Sequence, residues 1–156
     1  MTDPARLYRE SAVRGASPLG LIVILYDEII RNIRKAQRAF ETNNVEQRSN
    51  SLRHALEVVG YLHSILNFEK GGDVARNLAR FYTVMRAKLV ECNTSPARDT
   101  FEMLAHEFAN VAEAWQQAER ISRESAQPTN LAPEMALVGS SAAASGTANR
   151  RALSSR

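Results

Sequence analysis

The stretch SPLGLIVILYDEIIRNIRKAQRAF, residues 17–40, decides the fold class. Ser17 is a good helix cap, and Pro18 suits the first helical position, where its missing N–H costs nothing. Beyond them Ile22, Leu25, Ile29, Ile33, Ala36 and Phe40 recur at the spacing of one helix face. Thr42-Asn43-Asn44 ends the run, so the sequence predicts a helix over 18–42.

The same signals repeat outward from that segment. Leu52, Ala55, Leu56, Val59, Leu62 and Leu66 predict a helix over 46–68, with a reversal at Lys70-Gly71-Gly72. Val74, Leu78, Phe81, Met85 and Leu89 predict a third over 72–92. Phe101, Leu104, Phe108, Val111, Trp115 and Ala118 predict a fourth over 97–120. Its start is open between a Ser95-Pro96 cap and the capping-box pattern from Asp99 to Glu102. The expected fold is all-α: an antiparallel up-down four-helix bundle over 17–122, preceded by a short N-terminal arm, 1–16. Residues 123–156 turn to Pro, Ala, Ser, Gly and Thr and predict a disordered tail. Within it Leu131, Met135 and Val138 are nonetheless spaced for a turn of helix.

Composition narrows the chemistry. The chain has 156 residues, 44% of them hydrophobic, enough for one domain with a core. Its one cysteine, Cys92, has no partner for a disulfide or a Cys-x-x-Cys site, which points to a reducing, cytoplasmic setting. Cys92 lies beside Glu91 near a predicted helix end, where dipole and carboxylate both raise a thiol pKa. The longest apolar run, Leu21 to Tyr26, falls far short of the roughly twenty residues of a membrane helix. His54, His63 and His106 fall at no metal-ligand spacing, and no nucleophile elbow accompanies the serines, so neither enzyme, metal nor cofactor is expected.

The net charge of +3 is modest. Arg31, Arg34, Lys35 and Arg38 cluster on the first predicted helix, and Arg76, Arg80 and Arg86 on the third. Asp27, Glu28 and Glu41 interleave with the first cluster, and few aromatics are available to stack bases. A small basic nucleic-acid-binding protein is therefore an alternative and not the leading reading. Most of the positive excess falls after residue 120, on Arg123, Arg150, Arg151 and Arg156 against Glu124 and Glu134.

The informative anomaly is a surplus of apolar side chains. Leu19 to Tyr26 is apolar on nearly every side, whereas a bundle helix needs one stripe. Behind the core stripe of the second helix runs another: Val58, Tyr61, Ile65 and Phe68. Two readings stay open. Oligomerisation or the N-terminal arm buries the surplus, or a partner's amphipathic helices dock on it.

At this point the residues resemble a known family. The opening YRESAVRGASPLGLIVILYDEII, residues 8–30, is similar to the N-terminal signature of the flagellin-specific export chaperones, FliS, through Tyr8, Val13, Ala16-Ser17-Pro18 and Leu25-Tyr26-Asp27. The stretch 55–89, with Glu69-Lys70-Gly71-Gly72-Asp73, Asn77-Leu78 and Tyr82, resembles the family's central helical hairpin, and Ala114-Trp115 fits near the end. Asn67 stands where aspartate is frequent, Phe81 replaces a frequent leucine, Pro96 is unusual, and the tail beyond Arg120 is long. The resemblance implies a cytosolic helical bundle that binds the disordered C-terminal segment of flagellin, prevents premature polymerisation and helps deliver it to the flagellar type III export gate. It also implies a flagellar regulatory protein as a further partner, with no nucleic acid and no membrane insertion. An adaptor for a different flagellar protein is the alternative within the same class. The expected partner surface comprises Tyr8, Leu21, Ile22, Leu25, Tyr26, Tyr61, Ile65, Phe68, Leu78 and Tyr82, shared with the core. The arm around Tyr8 either gates this surface or packs permanently against it.

Overall fold

A computed structural model describes residues 3–125. Among them are five helices: α1 (Pro4–Val13), α2 (Pro18–Glu41), α3 (Val45–Ser64), α4 (Phe68–Thr94) and α5 (Arg98–Ser125). The expected tail beyond 125 lies outside the described residues. The all-α expectation holds, but the four-helix count is corrected to five, because the arm is itself helical. Asp3 caps it by accepting from the Ala5 N–H at 3.1 Å, and Pro4 occupies its first turn.

The helix ends follow from local chemistry. At the end of α1, Gly15 takes φ +87°, its N–H donates to the Ala12 carbonyl and the Ala16 N–H to the Ser11 carbonyl. Asn43 repeats this at the end of α2, with φ +57°, its N–H donating to Phe40 and that of Asn44 to Ala39. Both are Schellman closures, and Asn tolerates the left-handed conformation after glycine best. Asn44 then caps α3, accepting from the Gln47 N–H at 3.0 Å.

The expected reversal at Gly71-Gly72 is corrected. The chain turns earlier, at 65–67, where Asn67 caps α4 by accepting from the Lys70 N–H at 3.0 Å. Gly72 then bends α4 with φ +51° and ψ −125°, a conformation open to glycine and strained for any other residue. For the last helix neither proposed cap is used. The Ala97 carbonyl receives the first bonds, from the Thr100 and Phe101 N–H groups, and Arg98 opens α5.

α2 is central, packing against α1, α3 and α5. It runs opposite to α5, with Phe40 against Phe101 at one end, ring centroids 5.6 Å apart, and Ser17 against Glu119 at the other. α3 runs opposite to α4 in the same way, the Ser49 hydroxyl donating to Asn93 at 2.9 Å and His63 lying against Tyr82. The core gathers Ile22, Leu25, Ile29, Ile33, Leu52, Val59, Leu62, Leu89, Phe101, Leu104 and Phe108.

Tyr26 sits at its middle. Its ring approaches Phe108 (6.1 Å) and Trp115 (6.3 Å), and its hydroxyl shares a 2.7 Å hydrogen bond with that of Tyr82. Burial pushes the Tyr26 phenol up to about 12, and the hydrogen bonds only partly counter it. Tyr82 is raised too, by burial and then by Tyr26.

Tyr26→Phe leaves the Tyr82 hydroxyl buried without its partner, an expected loss of about 1–3 kcal/mol in urea unfolding, whereas the double Phe variant recovers most of it. The neutral phenol is the form the fold favours. Its contribution is therefore complete below the ordinary value of 10 and is lost as pH rises through about 12. Alkaline unfolding of the parent should track that window, and the double variant should lose this dependence.

Candidate functional site

α1 is a ten-residue amphipathic helix laid on α2 and α3. Leu7 and Tyr8 pack against the core cluster, and Pro4 and Ser11 are buried beside them. The Tyr8 ring meets Tyr61 of α3 edge-on, with centroids 5.9 Å apart. Partial burial raises both phenols, and at Tyr61 the neighbouring Tyr8 adds to the effect. On its outer face α1 pairs Arg6 with Glu10 at 3.0 Å, both well exposed. Exposed pairs of this kind contribute little, and an isolated helix this short is marginal, so its anchors hold it.

The expected partner residues divide by position. Leu21, Ile22, Leu25 and Tyr26 of α2 and Tyr82 of α4 are core residues. For α2 the reason is geometric: α1, α3 and α5 surround it, so almost every direction around Leu19–Tyr26 is covered and the apparent surplus is absorbed. Tyr82 turns inward because its hydroxyl finds Tyr26 there; the buried face of α4 runs through Ala75, Tyr82, Met85, Leu89 and Cys92, and Leu78 falls on its flank. Tyr8, Tyr61, Ile65 and Leu78 are half-buried against the core, and Phe68 stands 49% exposed. Val58, expected on the outer stripe, is fully buried.

These half-covered residues come together at one end of the molecule. α3 ends at Ser64, Ile65 and Phe68 follow in and after the turn, and Leu78 lies further along α4. Such a surface offers apolar area and rings of the kind that bind a partner.

Elsewhere several polar groups have structural partners. Glu28 of α2 accepts from His54 Nε2 of α3 at 3.0 Å and from Asn32 Nδ2 at 3.1 Å, and it pairs with Arg31. This knot lines an open polar cleft of about 390 Å³ between α2 and α3, bordered also by Lys35, Asn44 and Gln47. Arg76 pairs with Asp73 and Arg34 donates to Gln37, so the basic stretches are interleaved with partners. Cys92 is buried and its thiol is pushed up to about 11, chiefly by burial, with Glu91 a lesser contributor than the sequence suggested. Among the described residues no group of three His, Cys, Asp or Glu side chains is arranged to hold a metal ion.

Two contacts were not anticipated from sequence. One is the His54–Glu28 bond between helices. The other is Gly20, where an added Cβ would lie 3.0 Å from a Glu119 oxygen of α5. The only sequence signal for the second was a glycine inside a strongly helical stretch.

The family profile described as Flagellar protein FliS matches residues 1–122, from α1 into the last turns of α5. The chain is 32% identical over 114 residues to the flagellar secretion chaperone FliS of Salmonella typhimurium, covering 72% of this chain and 84% of that protein. It is 30% identical over 106 residues to the flagellar secretion chaperone FliSB of Pseudomonas aeruginosa, covering 68% and 84%. With the flagellar secretion chaperone FliS of Bacillus subtilis it shares 24% identity over 122 residues, 78% of this chain and 90% of that one.

Because α1 rests on a few apolar anchors, Tyr8→Ala should raise amide hydrogen exchange in Pro4–Val13 by about ten- to a hundredfold. The urea midpoint of the whole chain should move by less than about 1 kcal/mol equivalent. Equal exchange in the two proteins would show α1 to be held by something other than Tyr8.

Proposed function

The chain belongs to the FliS family of flagellar proteins, and from that premise we propose that it is a cytosolic export chaperone for flagellin. It captures the C-terminal segment of newly made flagellin, hides the face that would otherwise drive filament assembly, and brings the subunit to the type III export gate. A flagellar regulatory protein is a further partner in this reading. The scaffold is an antiparallel up-down bundle of α2 to α5 with α1 added.

The observation that carries the proposal is the half-covered apolar surface of Tyr8, Tyr61, Ile65, Phe68 and Leu78 beside a short, weakly anchored helix. An amphipathic client helix needs such a face and little else. A client that orders on binding meets a conformational cost, and several shallow anchors offset it at about 25 cal/mol for each Å² of apolar area covered. Displacing α1 enlarges the surface, because it uncovers the Tyr61 ring on which Tyr8 rests. Among the described residues no helix is long and apolar enough to cross a membrane, in keeping with a carrier that meets its client before export.

The test is direct binding of the purified chain to a peptide spanning the C-terminal segment of the host's flagellin. Complex formation should persist at high salt, where a phosphate-backbone contact would weaken steeply. Ile65→Asp or Phe68→Asp should each weaken it by about ten- to a hundredfold, the equivalent of losing one apolar anchor, while the chain stays folded. Ile22→Asp is not a useful variant, since Ile22 is fully buried. Removing residues 1–14 should change the affinity and leave the melt of the remaining helices nearly intact; an unchanged affinity would eliminate α1 as a gate. No complex with any folded form would defeat the flagellin assignment.

A further inference from the structure

Large apolar side chains are left without cover near the end of α5 and at the start of α4. Ile121, one turn before the helix stops at Ser125, is 52% exposed, and Phe68 at the start of α4 is 49% exposed. They share an end of the molecule: Glu119 of α5 accepts from the Ser17 hydroxyl that caps α2, and α1, leading into α2, lies on Tyr61 near the end of α3. The half-buried Ile65 and Leu78 adjoin this end through the α3–α4 turn and the first turns of α4.

The chain continues from Ser125 at that same end. Its next residues, AQPTNLAPEMALVG, place Leu131, Met135 and Val138 at i, i+4 and i+7, one helix face, with Pro133 early in the run where a first turn tolerates it. Glu134 is the sole charge between residues 126 and 149, and at i+3 from Leu131 it borders that face, where its carboxylate can stay at the solvent edge of the contact. From Ser125 to Leu131 is at most about 20 Å of extended chain, at about 3.3 Å per residue, enough to turn back onto Ile121, one turn before Ser125.

We propose that the chain's own segment Leu131–Val138 docks on the apolar surface of Phe68, Ile121, Ile65 and Leu78 and competes with the client for it. The tether makes the event intramolecular, so the effective concentration is high and three modest anchors suffice. A client helix must displace the segment, which lowers its apparent affinity by the fraction of chains left open. The docking itself stands apart from the client's identity; the competition rests on the flagellin reading.

The test uses the full chain, the full-length Leu131→Asp/Met135→Asp variant, and a Ser141→Asp/Ala143→Asp control that adds the same charge outside the stripe. With no client present, amide hydrogen exchange in 65–70 and 118–125 should be about three- to tenfold faster in the first variant than in the parent or control. Its affinity for the flagellin C-terminal peptide should tighten by a similar factor. Equal exchange in all three chains overturns the docking, and so does protection that grows with protein concentration, which would make a second copy the occupant. Faster exchange with unchanged peptide affinity overturns the competition. Faster exchange in a chain that binds no flagellin peptide upholds the docking and removes the flagellin reading alone.

Discussion

The Tyr26–Tyr82 hydroxyl pair, 2.7 Å apart in the interior, sets terms that the other helices must meet. Each phenol in an apolar core needs a partner, and the bond forms only when α2 and α4 stand in one register and one rotation. An apolar stripe tolerates sliding by a turn, because one leucine replaces another at modest cost; a paired hydroxyl does not. The rings around it extend the constraint. Phe108 and Trp115 of α5 pack on Tyr26, and Phe81 packs on Phe108, so three helices are referenced to one phenol.

This explains how much could be read without coordinates. The start of α2 was legible because Ser17, Pro18 and the apolar spacing all say the same thing, and its end because Asn43 and Asn44 carry both the closure of one helix and the cap of the next. The α3–α4 turn was misplaced because Ile65, Leu66 and Phe68 continue the spacing of the helix before them, whereas the decisive group is the side chain of Asn67. Gly71-Gly72 advertised a break and supplied only a bend. α1 was missed as a helix because it is one short segment whose stabilising contacts, Tyr8 on Tyr61 above all, are distant in sequence.

The candidate surface shows the same division. Apolar residues could be counted from sequence, but a count does not separate the floor of a groove from its rim. Leu21 and Ile22 on the one hand and Ile65 and Phe68 on the other are alike by composition. They differ by what surrounds them: α2 is enclosed by three helices, while the α3–α4 turn has neighbours on one side. Tyr82 is expected on the partner surface through the resemblance, and its hydroxyl partner Tyr26, on another helix, turns it inward. The His54–Glu28 bond was hidden for a similar reason, since it joins residues on separate helices with no motif to mark it.

The junction between α1 and α2 has a mechanical consequence. α1 closes on Gly15 and Ala16, and α2 is capped at once by Ser17, whose oxygen accepts from the Gly20 N–H at 3.0 Å while its hydroxyl donates to Glu119 of α5. Almost no slack remains between the two helices, and the far side of the joint is bolted to the rest of the molecule. Loss of the Tyr8 contact would therefore let α1 swing about a fixed pivot as a rigid lever, with the Tyr8 ring held at a constant distance from the joint. Closure then needs no search: its speed is set by rotation at a hinge and not by diffusion of a loose chain.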